Sequence, residues 1–304
     1  MNYSPLLFSI VKGKWAILPR TVESHRIIVD QLLSGQQSNG DVKLLSEQKP
    51  LMLDFLGNDD GSGFCQIENI DDLPENSILM FDLNGTMLKY GTMCSYGTIE
   101  IAEAVARTAS HPKIGSVIAR IDSGGGAVDA IAPMIDTINQ IKAMGKPVVA
   151  SVDLCASAAY YVACHCNEIV ANNNISAEIG SIGVMMSFMD WTKKYENEGA
   201  KQHKIYSTLS DWKNRPFELA LEEKYDEIKS EELDPLARSF QEAVRTARGN
   251  KLKQETPGIL AGRMFFAETA KEVGLIDHVG NEAFAISRAH HLRQQSIVNQ
   301  YFNF

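Results

Sequence analysis

Between residues 77 and 171, short unbroken apolar runs alternate with stretches whose apolar residues recur every three or four positions. Ile78-Leu79-Met80-Phe81, Ser116 to Ile121 and Pro147 to Asp153 are runs of strand length, and strands this continuously apolar are buried on both faces. Between the first two, Ile99, Ala102, Val105, Ala106 and Ala109 line one side of a helix; between the second and third, a helix is predicted from about Val128 to Met144, stopped by Gly145 and Pro147. A helix from Ser157 to about Cys166 and a short strand Glu168-Ile169-Val170-Ala171 follow, then an apolar segment Gly180 to Met186. The rhythm of strand, helix, strand, helix predicts an α/β fold with a parallel sheet, and right-handed returns stack such units into a spiral.

Outside this stretch the pattern loosens. Lys204-Ile205-Tyr206 reads as a strand; the charged region from Glu218 to Arg248 reads as a surface helix or helix pair, with Pro235 at a break or helix start. Gly262 to Asp277 predicts a strand or turn, a short helix capped by Gly274, and a last strand. Gln294 to Gln300 reads as a loose tail, and Gly57 to Gly63 as an exposed turn or linker. The expected division is an N-terminal extension or cover over 1–75, a core over 76–285 and a C-terminal tail over 286–304.

Composition narrows the classes. Of 304 residues, 44% are hydrophobic and 22% charged, an ordinary globular balance. A net charge of -9 disfavours nonspecific attraction to nucleic acid or anionic lipid. Five irregularly spaced cysteines fit reduced thiols better than a disulfide framework, which points to the cytoplasm. Leu6 to Val11 is too short for a signal sequence and is followed by Lys12 and Lys14, and no window has the roughly 18 apolar residues of a spanning helix. A soluble protein with no membrane anchor is expected.

Two segments carry candidate chemistry. Asp122-Ser123-Gly124-Gly125-Gly126 ends one predicted strand, and Ala156-Ser157-Ala158-Ala159-Tyr160-Tyr161 ends the next; parallel neighbours would deliver both to one sheet edge. A serine there is by default a helix N-cap, and a glycine triplet by default a flexible turn. Together they offer a nucleophile, Ser157, with the Gly125 and Ala158 N–H groups as an oxyanion hole.

In order along the chain, these two segments, Gly180-Ser181-Ile182-Gly183-Val184, and Gly262-Arg263 through Gly274-Leu275-Ile276-Asp277 resemble the signal peptide peptidase A (SppA) family of serine peptidases, over roughly 77–280. The resemblance implies a ClpP/crotonase-like spiral of β-β-α units, a homo-oligomer, protein or peptide substrates with small or apolar side chains near the cut, and no cofactor or metal. It also implies a lysine as general base. Lys193, Lys194, Lys201, Lys204 and Lys213 lie downstream, and Asp211-Trp212-Lys213-Asn214-Arg215-Pro216-Phe217 is similar to the family's lysine segment, which selects Lys213. Its amine must be pushed from about 10.4 toward neutrality, and Trp212, Phe217 and Arg215 are the neighbours that could do so. Ser181 resembles the family's second serine, which holds the amine. Where the family has Ser-Pro-Gly-Gly and Ser-Gly-Gly, this chain has Ser123-Gly124-Gly125-Gly126 and Ser157-Ala158-Ala159, a looser loop and a narrower approach.

Within that family, the absent anchor and the early Lys14-Trp15-Ala16-Ile17-Leu18-Pro19 segment resemble the phage branch that processes scaffold and capsid proteins; a general protein-degrading or signal-peptide-degrading peptidase is the alternative. Two rivals come from other classes: a crotonase-type acyl-CoA enzyme, and a catalytically silent assembly protein. Cys164-His165-Cys166 lacks the usual ligand spacing of a zinc site, and Asn58 to Ser62 lacks the later acidic ligand of a calcium loop.

Overall fold

The structure, a computed structural model, describes residues 14–17, 53–56, 70–91, 95–188, 190, 192–201 and 203–302. The expected turn at 57–63 lies outside them. The strands are β1 (Lys14–Ile17), β2 (Asp54–Leu56), β3 (Ser77–Asn84), β4 (Ile114–Ser123), β5 (Gly125–Ala127), β6 (Val148–Ala156), β7 (Glu168–Ala171), β8 (Glu178–Gly180), β9 (Met185–Met186), β10 (Met264–Phe266) and β11 (His278–Val279). The helices used below are α1 (Thr98–Ala109), α2 (Ile131–Ala143), α3 (Ala158–Ala163), α4 (Thr192–Asn197), α5 (Arg215–Leu221), α6 (Asp234–Arg248), α7 (Ala267–Glu272) and α8 (Glu282–Phe302).

The main sheet runs β10-β8-β6-β4-β3-β2, with β7 beside the first half of β6 and β11 beyond it. The central pairs β3·β4, β4·β6, β6·β7 and β6·β8 are all parallel, whereas β2 and β10 close the two ends antiparallel. The period-2 pleat explains why the central strands read as unbroken apolar runs. Leu79, Phe81, Val117, Ala119 and Val152 face one core with α1, α2 and α3, while Ile78, Met80, Ile118, Val149 and Val170 face a second one with α8. Ile131, Met134, Ile138 and Ile141 give α2 its buried stripe at helical spacing, and Gly145 ends that turn at φ +73°. The chain thus has the α/β architecture with a central parallel sheet that the pattern implied.

Three expectations change. The tail at 294–300 belongs to α8, whose Ala285 and Ala289 are buried against the sheet. Its position is fixed by Arg288 on Glu168 (2.6 and 2.8 Å) and by Ser296 Oγ donating to the Gly145 carbonyl (2.7 Å). Residues 204–206 form no strand, because no strand among the described residues pairs with them, and Ile205 is 92% exposed. In the N-terminal part, β2 extends the edge of the core sheet rather than covering it, held also by Arg120 of β4, which pairs with Asp82 (2.7 Å) and Asp54. No helix among the described residues is long and apolar enough to cross a membrane.

Candidate functional site

The parallel pairing of β4 with β6, and of β6 with β8, brings three strand ends to one edge. Ser123 stands opposite Cys155, and Ala156 opposite Gly180, so the glycine triplet and Ser157 share the expected edge and the loop carrying Ser181 joins them there. Ser157 itself occupies φ 55°, ψ -119°, a region an L-residue with a Cβ enters only under constraint. That constraint is the abrupt turn from β6 into α3, pinned by the Ser157 N–H donating to the Gly180 carbonyl at 2.8 Å. Its hydroxyl donates to the Gly183 carbonyl at 3.3 Å. Ser181 also has a positive φ, 53°, and its N–H donates to the Arg263 carbonyl at 3.0 Å. The 180–183 loop therefore wraps Ser157 from the β8 side.

On the β4 side, Gly125 is at φ +94°, and a Cβ there would lie 2.9 Å from both Ala158 N and the Ala156 carbonyl, and 2.3 Å from the Ala16 carbonyl. Only glycine lets the loop come this close to the start of α3. Gly125→Ala is therefore expected to cost about 2–3 kcal/mol of stability in a urea titration, since every atom in its way is backbone.

Two findings were not legible in the sequence. The Gly125 N–H, expected to face an oxyanion, donates to Ser123 Oγ at 3.1 Å, and that hydroxyl donates on to the Gly85 carbonyl at 2.5 Å. The Ser123 hydroxyl therefore shares the Gly125 donor, a role that only its place directly before the triplet could have signalled. The second concerns Lys213, which lies on an exposed turn just before α5. Among the described residues no hydrogen bond joins it to Ser157 or Ser181. Its expected neighbours are turned to other tasks. The Arg215 guanidinium lies 4.9 Å over the Trp212 ring and pairs with Glu227 at 2.9 Å, and Phe217 packs on Phe188. Lys193, Lys194, Lys201 and Lys204 are exposed as well.

Behind α3, Cys155, Cys164 and Cys166 are buried thiols, and burial pushes Cys164 and Cys166 up to about 12. A neutral, buried thiol is packing material rather than a nucleophile or ligand. Among the described residues no group of three or more His, Cys, Asp or Glu side chains is arranged to hold a metal ion.

The site thus sets a serine on a strained strand-to-helix turn, facing a glycine-rich loop across one edge of a largely parallel sheet. Residues 140–296 match the model of Peptidase family S49, and the chain belongs to that family. It is 32% identical over 203 residues to the chloroplastic serine protease SPPA of Arabidopsis thaliana, covering 62% of this chain and 28% of that protein. It is 24% identical over 252 residues to the capsid assembly protease C of Escherichia phage lambda, covering 80% of this chain and 55% of that one. Among solved structures, an enoyl-CoA hydratase/carnithine racemase from Magnetospirillum magneticum superposes with a TM-score of 0.44 at 14% identity, over 76% of this chain and 80% of that one. The chain thus spans under a third of the plant protein and just over half of the phage protein.

Proposed function

We propose that the chain is a serine endopeptidase in which Ser157 attacks a peptide carbonyl and Lys213 serves as general base. The observation that carries this reading is Ser157 itself, held at positive φ at the carboxyl edge of the sheet between Gly125 and the 180–183 loop. As Oγ bonds to the carbonyl carbon, its proton passes to the neutral lysine amine, and the carbonyl π electrons move onto oxygen. The Ala158 N–H and the Gly125 N–H, once released by Ser123, donate to that oxyanion. Collapse expels the amine with the proton from lysine; water then attacks the acyl-enzyme, its proton passing to the lysine, and collapse of the second intermediate frees Ser157, whose oxygen takes that proton and leaves the lysine neutral. Ser181 orients the amine.

In this reading Lys213 reaches Ser157 from a neighbouring copy within a homo-oligomer. Within one copy it is solvent-exposed, on a stretch that also leaves Ile205, Leu209 and Trp212 at 92%, 93% and 61% exposure. Apolar area of that size on one arm is suited to burial against a second copy. Mixing separately inactive Ser157→Ala and Lys213→Ala proteins is expected to restore activity on an apolar peptide panel, because mixed rings contain intact pairs. No recovery on mixing, with both variants assembled like wild type, would place both groups in one copy.

Phage head maturation is the setting we favour, supported by the similarity to the lambda capsid assembly protease over four-fifths of the chain. The substrates would then be scaffold or capsid polypeptides. A fluorophosphonate probe is the direct test: labelling of Ser157 supports a serine hydrolase, and an unlabelled, folded protein would favour a silent assembly role.

A further inference from the structure

β1 is a four-residue strand whose next neighbour in sequence among the described strands begins only at Asp54, yet Trp15, Ala16 and Ile17 are all buried. It lies in a second, three-stranded sheet of order β5-β1-β9. On one side Trp15, Ala16 and Ile17 pair antiparallel with Ala127, Gly126 and Gly125; on the other Lys14 and Trp15 pair antiparallel with Met186 and Met185. β5 and β9 are joined in this sheet only through β1. These two walls are the direct continuations of the segments that bracket Ser157. β5 begins at Gly125, and β9 follows the loop whose Gly180 and Gly183 carbonyls hold the serine.

The Ala16 carbonyl oxygen lies 2.3 Å from the Cβ position of Gly125, and Ala158 N lies 2.9 Å from the same point. The two atoms are therefore no further apart than the sum of those distances, which sets a backbone carbonyl of β1 beside the N–H assigned to the oxyanion. Ser157 is only 1% exposed in this arrangement. Without β1 the two walls would form a slot one strand wide, edged by unpaired backbone donors and acceptors, the shape that takes an extended polypeptide by strand addition.

We propose that Lys14–Ile17 is an autoinhibitory strap: a segment of the chain that fills its own peptide-binding groove and that an incoming extended polypeptide must displace. This rests on the peptidase reading of the site. The strap is built to leave, because it consists of four residues in a small sheet of its own, outside the eight-stranded one, and short ladders of this kind open at low cost. It also gives a task to Lys14–Ile17, which the catalytic roles leave without one.

The test uses the full-length chain and two strap variants. Ala16→Pro removes a backbone N–H from the middle of the ladder, and Trp15→Ala strips the largest buried side chain while leaving the backbone able to pair. A fluorescein-labelled peptide with the sequence of residues 12–19 is titrated by anisotropy into Ser157→Ala, with and without each strap change. Affinity is expected to rise at least about tenfold when the strap is weakened, the factor by which an internal competitor occupying the groove nine-tenths of the time depresses it. Fluorophosphonate labelling of Ser157 should likewise be faster in Ala16→Pro and Trp15→Ala than in wild type. Equal peptide affinities and equal labelling rates would overturn the strap while leaving the nucleophile intact. Tighter peptide binding with no labelling of any form would keep the strap and overturn the serine hydrolase. Should Ala16→Pro fail to fold, as judged by circular dichroism, Trp15→Ala decides between these outcomes.

Discussion

Replacing Ser157 with alanine is expected to abolish fluorophosphonate labelling and to lower kcat/KM on a cleaved peptide by at least about 10³-fold, the scale on which removal of a nucleophile acts. The fold should survive, because the lost Oγ makes one long contact, 3.3 Å to the Gly183 carbonyl, and alanine fits the same backbone. A companion change separates chemistry from strain. Ser157 holds φ 55° with a Cβ, which costs on the order of 1 kcal/mol, and glycine there is free of that penalty. Ser157→Gly should therefore be as inactive as Ser157→Ala yet unfold at higher denaturant than it does. A nucleophile held in an unfavourable conformation by its surroundings is the usual mark of a site that trades stability for function. Peptidase activity that persisted in both variants would remove Ser157 from the mechanism and assign the nucleophile to another residue.

How far the sequence could be read depended on where each element finds its partners. β3, β4, β6, α1 and α2 were legible because local pattern and burial agree: Ile78 to Phe81 and Val117 to Ile121 bury both faces, and glycine and proline mark the ends. The meeting of Ser123–Gly126 with Ser157 was legible for a related reason. Parallel neighbours align their carboxyl ends whatever the intervening sequence. α8 was not, because the face it buries is made of Ala285 and Ala289, which carry little hydrophobic signal, and its anchors Glu168 and Gly145 lie more than a hundred residues away. Ile205 and Tyr206 misled in the opposite direction: their strand propensity is real, but propensity without a partner strand makes no ladder. β1 is too short to register in any window, and its strand state exists only because β5 and β9 flank it. The same holds for chemistry. Ser157 was singled out by the glycine triplet on the neighbouring predicted strand, whereas the Ser123 hydroxyl on the Gly125 N–H is a tertiary fact.

The largest stability effect is expected at a pair remote from the reacting atoms. Arg248, the last residue of α6, donates to both carboxylate oxygens of Asp277 (2.9 and 3.0 Å) and to the Gly274 carbonyl (2.8 Å), with both side chains nearly fully buried. Asp277 also accepts the Ile169 N–H (2.9 Å) and the Lys251 amine (2.7 Å). Beside it, Tyr160 of α3 donates to the Leu275 carbonyl at 2.8 Å. One knot thus ties α6, the 274–277 turn, β7 and the helix that begins after Ser157. Arg248→Ala leaves the carboxylate buried with its bidentate partner gone, and a loss of about 3–5 kcal/mol is expected in urea titrations. Replacing both members, Arg248→Met with Asp277→Leu, should cost less than either single change, since no buried unpaired charge then remains and the Lys251 amine is left in solvent. The pair also sets the acid limit. Against the cost of burial, the bonds from Arg248, Lys251 and Ile169 hold the Asp277 carboxyl down to about 2, below its unfolded value of about 3.9. A carboxyl depressed on folding stabilises fully above the unfolded value, and this contribution fades as pH falls from about 4 to about 2, by on the order of 2 kcal/mol. Wild type should therefore lose stability steeply across that window, and Asp277→Asn, already weakened at pH 7, should lose less. Parallel pH slopes in the two proteins would show that Asp277 does not hold its proton balance as described.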